Sequence, residues 1–163
     1  MLTDPAPAPP GAGEVASSAA AALLGWDGLE MAELPIPVHA LRPGDGAGGW
    51  DPALPLCGWA YPAFLDGRLA CLAVAAADGG GEAFPAGQGT ALGEALETAA
   101  GIAWSAPGPA CLRLVRVPGA ADAFWIEWGH DTFVPTDFPR AVPGPEFAWY
   151  ARGAAGGRYG GDT

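Results

Sequence analysis

The chain has 163 residues, a length that fits one domain with a single hydrophobic core. Its formal net charge of −11 repels phosphate backbones and anionic lipid, which argues against nucleic acid and membrane surfaces as partners. Three cysteines without CxxC spacing, no apolar run of the ~20 residues a spanning helix needs, and no basic stretch after Met1 argue against a disulfide framework, a membrane span and a signal peptide. A reducing, cytoplasmic setting is the expectation. Every basic residue is arginine, and the chain has neither Lys nor Asn. That pattern looks like codon bias, so arginine by itself carries little functional weight here.

In chain order, residues 1–13 are Pro, Ala and Gly with one acid, too little apolar surface to offset the entropy of ordering. Glu14 to Leu24 reads as a short Ala-rich helix. Leu23, Leu24, Trp26, Leu29 and Met31 then make a compact apolar cluster, which either packs on its own domain or docks on another protein. Ile36–Leu41 is a first strand whose Pro37 fits an edge or a strand start. Arg42 to Pro55 is a Gly/Pro/Asp loop.

The runs Cys57–Leu65 and Arg68–Ala76 flank Asp66-Gly67, a pair suited to a type I′ turn because both central residues need positive φ. The second run is apolar on both faces, as a central strand covered on both sides would be. Pro62 implies a bulge or an edge. After a turn at Asp78–Gly81 and a short strand at Glu82–Pro85, Thr90 caps a helix over residues 91–103, with Leu92, Leu96 and Ala99 at helical spacing. Glu94 and Glu97 favour the helix dipole near its start.

Two alternating strands follow. Ala110–Val117 puts Leu112 and Leu114 on one face and Arg113 and Val115 on the other. Asp122–Trp128 puts Phe124, Ile126 and Trp128 opposite Trp125 and Glu127. Gly129-His130-Asp131 is a turn, and Thr132–Pro135 pairs back. Phe147, Trp149 and Tyr150 form a last aromatic patch before a Gly-rich tail.

The expected architecture is α+β: an antiparallel sheet with one main helix on one face and flexible N- and C-terminal extensions. The expected layout is an arm over 1–34, one domain over 35–151 and a tail over 152–163. The segments Leu112–Pro118, Phe124–Trp128 and Phe133–Pro135 resemble small bacterial α+β domains of uncharacterised function. Those domains carry a basic-apolar strand ending in Pro, an apolar strand with Trp, and a short return strand ending in Pro. The likeness covers about residues 57–139, departs at Gly119-Ala120-Ala121, and implies a fold without an active site.

Catalytic chemistry has little to build on. Cys57, His130 and an acid such as Asp131 or Asp137 would make a thiol triad if the fold joined them. His39 and His130 lack metal-ligand spacing. Gly87-Gln88-Gly89 before a helix lacks the third Gly of a dinucleotide fingerprint, with Leu92 in its place. Glu94 and Glu97 read as solvated helix residues. No cofactor and no metal is expected.

Seven tryptophans are the feature that asks for a reason. Trp concentrates at binding hot spots. With Trp128 under the helix, Trp125 faces the other way and, beside Trp59 or Trp149, would form an exposed aromatic patch unless a second layer covers it. The expected function is therefore a non-enzymatic protein–protein interaction module, an accessory subunit or assembly component of a larger bacterial complex. Its partner surface would use Leu23, Leu24, Trp26, Leu29, Met31, Trp59, Trp125 and Trp149. Two alternatives are a small-molecule-binding domain or small enzyme with a pocket between helix and sheet, and an acidic inhibitor or immunity protein. A homo-oligomer is compatible with each.

Overall fold

The structure is a computed structural model, and it describes residues 8–26, 28–40, 56–117 and 121–147. The expectations for residues 1–7, the loop from Arg42 to Pro55, Trp149, Tyr150 and the tail lie outside the described residues. The fold mixes helices with a large, mostly antiparallel sheet. The elements are α1 (Ala12–Leu24), β1 (Glu30–Met31), β2 (Ile36–Ala40), β3 (Leu56–Leu65), β4 (Arg68–Ala76), β5 (Gly81–Pro85), α2 (Ala91–Ser105), β6 (Cys111–Arg116), β7 (Ala123–Glu127), β8 (Asp131–Pro135) and β9 (Val142–Pro143). A further helical segment begins at residue 144.

The strand order is β5-β4-β3-β2-β6-β7-β8-β9, with β1 paired to β3 beside β2. Two antiparallel meanders meet where β2 and β6 run parallel. A parallel pair needs a crossover, and α2 supplies it.

Local chemistry explains the best-formed elements. Asp66 and Gly67 adopt φ of 51° and 77°, so the β3–β4 turn has the two left-handed residues its sequence implied. The Thr90 hydroxyl accepts from the Gly93 N–H at 3.0 Å and so satisfies an orphan donor of the first helical turn. Pro62 sits one residue before a register shift at Ala63/Phe64. Its carbonyl accepts from the Ala32 N–H, so its donor-less nitrogen faces the junction between β1 and β2.

Three features sharpen or depart from the expectation. First, of the two places open to Pro37, an edge or a strand start, the structure has the second: it is the second residue of β2, a central strand between β3 and β6. Second, one main helix on one face is incomplete. On one face α2 packs over β6, β7 and β8, while α1 packs on β3, β4 and β5. Ala12, Ala16 and Ala20 recur every four residues and make a flat stripe that seats against Cys71, Ala73 and Ala75. This second layer is what buries both faces of β4. Third, Trp125 is not exposed. It is fully buried with Phe133 and Phe147, stacked 5.9 Å from Phe133, which in turn stacks 4.3 Å from Phe147. The segment through β9 to Phe147 covers that half of the face.

Candidate functional site

Because α2 lies toward β6–β8, the same face of β2, β3 and β4 is left with a groove beside the helix. Its volume is about 730 Å³, and Ile36, Pro62, Phe64, Leu69, Leu96 and Leu112 give it an apolar lining. Strand alternation aims Pro62 and Phe64 of β3 at this face, and the register shift opposite Ala63/Phe64 brings Leu69 of β4 to the same side, out of the row of Cys71, Ala73 and Ala75. Ala100, next along the helix, is small and leaves the groove open. Arg68 from the hairpin and Glu97 and Gln88 from the helix side supply its polar groups. An open concavity of this kind takes an apolar group and orients it by a few polar contacts.

Large exposed apolar side chains lie at the same end of the sheet. Leu65 is beside the hairpin turn, and Leu34 follows β1, which pairs with the end of β3. Leu34 is 69 % exposed and Leu65 37 %. The arm divides its labour: its alanines bind the sheet, while Leu23, Leu24 and Trp26 stay exposed at the end of α1, Trp26 at 56 %. Leu29 and Met31 are half-buried against the core under α1. Of the expected partner surface, then, Leu23, Leu24 and Trp26 are accessible. Trp59 and Trp125 are core residues, and the Trp59 indole N–H makes no hydrogen bond.

The thiol triad is not assembled. Cys57 stands at the start of β3, near the end of β6, whereas His130 and Asp131 lie in the β7–β8 turn at the opposite end of the strands. Burial raises the Cys57 thiol above its ordinary value, and the Asp122 carboxylate adds to this against the opposing pull of Arg116. A thiol so placed is a poor nucleophile. The His130-Asp131 turn instead borders a cavity of about 500 Å³ with Cys111 and Glu127. The signal for that row was present in the alternation of β6 and β7, but pairing Cys111 with Glu127 and Glu127 with Asp131 requires the strand register.

Gly87-Gln88-Gly89 forms a turn closed on itself: the Thr90 N–H and hydroxyl both donate to the Gly87 carbonyl. Glu94 and Glu97 are exposed. Among the described residues no group of three or more His, Cys, Asp or Glu side chains is placed to hold a metal ion, and no helix is long and apolar enough to cross a membrane. No family model, curated protein or solved structure matches the chain.

Proposed function

We propose that the chain is a non-enzymatic protein-binding module, an accessory subunit or assembly component of a larger complex. The observation that supports this best is the apolar groove beside α2, flanked at one end of the sheet by exposed Leu34 and Leu65. An apolar groove with exposed leucines at the same end of the sheet is surface that a partner would bury. In this reading Leu23, Leu24 and Trp26 contribute a second contact from the end of α1. A cytoplasmic setting fits three thiols that form no disulfide.

The test is affinity purification of the full chain from its native host beside two variants. A stoichiometric partner is expected with the unaltered chain and with Phe138→Ser, which alters exposed apolar surface beyond the other end of β8. The double variant Leu34→Ser/Leu65→Ser is expected to lose at least about tenfold in affinity. Equal retention by all three proteins would sink the assignment.

The groove also supports a second reading, a site for an apolar small molecule. That reading expects saturable binding of an environment-sensitive apolar dye, blocked by Leu96→Arg with the fold intact. Dye binding that Leu96→Arg leaves unchanged would count against it.

A further inference from the structure

On the face opposite α2, Arg113 is buried near the middle of the sheet, at 4 % exposure. Its guanidinium lies 5.2 Å from the Trp125 ring centroid. Its Nη2 is 3.8 Å from Glu127 Oε1, beyond hydrogen-bond reach, and its Nε and Nη1 make no hydrogen bond. A buried guanidinium with one loosely held carboxylate and two idle donors is strongly disfavoured unless an acceptor arrives. Glu127 is half-buried and forms part of the wall of the cavity of about 500 Å³ at the β7–β8 turn. Arg113 itself lies behind that wall, in which Glu127 is the side chain it approaches and Cys111 the neighbour two residues before it in β6.

The other carboxylate of that wall is already committed. Asp131 Oδ1 accepts from the Trp125 indole N–H at 3.0 Å. Asp131 stands directly across from Glu127 in the sheet, a like-charged cross-strand pair that opposes Glu127 leaning toward it. Asp131 therefore keeps Glu127 on the Arg113 side of its strand, yet at 3.8 Å the carboxylate stops short of a hydrogen bond and remains a loose partner.

We propose that this cavity is a carboxylate site served by Arg113, with Glu127 as its built-in competitor. A ligand carboxylate that displaces the Glu127 side chain would meet the guanidinium fork and satisfy the idle donors, the two-pronged geometry arginine suits. The ligand is a small organic carboxylate or the free C-terminus of a peptide, which share this chemistry.

The experiment follows thermal unfolding of the full chain in chloride buffer, titrated at constant ionic strength with acetate, a tripeptide, the same tripeptide amidated, or ethylammonium. Glu127→Ala removes the competitor. It is expected to unfold at a lower temperature in chloride and to regain the loss with acetate, binding about tenfold more tightly than the unaltered chain. Stronger rescue by the free tripeptide, with none by its amide, assigns a chain terminus as the source. Rescue by acetate alone assigns a small carboxylate. Both rescues should vanish in Glu127→Ala/Arg113→Met. If that protein does not fold, Arg113→Lys keeps the charge without the fork and is expected to weaken the rescue. Acetate acting no better than chloride, acting equally without the Arg113 fork, or being outdone by ethylammonium would overturn the proposal.

Discussion

Gly93 is the closest approach between α2 and the chain that leads into it. A Cβ there would run into the main-chain carbonyl oxygens of Ala86 and Gly87, which cannot swing aside as a side chain can. Gly101, two turns on in the same helix, has nothing within 4 Å of such a Cβ. The two glycines should answer the same substitution with opposite signs. Gly101→Ala is expected to gain up to about 1 kcal/mol in urea unfolding, and Gly93→Ala to lose about 2 kcal/mol. Asp122 gives a pH signature. Burial raises its carboxyl above the ordinary 3.8, Glu82 adds to this, and Arg116 and the Val117 N–H oppose it. From near pH 3.8 up to that raised value the folded chain holds more protons than the unfolded one, so stability falls as pH rises through the window. Asp122→Asn should flatten that part of the profile and raise the unfolding midpoint at neutral pH, as urea titrations at a series of pH values would read.

At the scale of elements, α1 tests how a helix made largely of alanine stays docked. Its stripe carries little apolar area per residue, so attachment depends on close fit. Ala16 is fully buried. Ala16→Asp is expected to cost at least about 2 kcal/mol and to speed amide exchange over residues 12–24 ahead of the rest of the chain. Elements written in local chemistry were legible in the sequence: the Asp66-Gly67 hairpin, the Thr90 cap with α2, and the alternation of β6 and β7. What a neighbour distant in sequence decides was not legible. The alternation of β7 correctly separated Trp125 from Trp128, yet nothing in it says that Phe147 returns to cover Trp125. Pro37 leaves an edge and a strand start both open, and only β6 on the far side of β2 decides between them. The groove was foreseen only as a space between helix and sheet. Its residues are scattered over four strands and a helix, and it opens because α2 crosses toward β6–β8.

For the whole molecule, eighteen acids against seven arginines leave a surface that repels itself. Raising salt from about 0.01 M to about 0.1 M shortens the screening length from ~30 Å to ~10 Å. The unfolding temperature is expected to climb by about 2–5 °C over that range, measured by calorimetry. The parallel pairing of β2 with β6 sets a different constraint, one that acts while the chain is being made. Each meander closes between neighbours, but the strip that joins them waits until α2 and β6 have left the ribosome. Until then β2 is a bare edge with Val38 uncovered, open to another nascent copy. A chain released before Cys111 should therefore self-associate, as sedimentation would reveal, whereas the finished protein conceals that edge in the middle of its sheet.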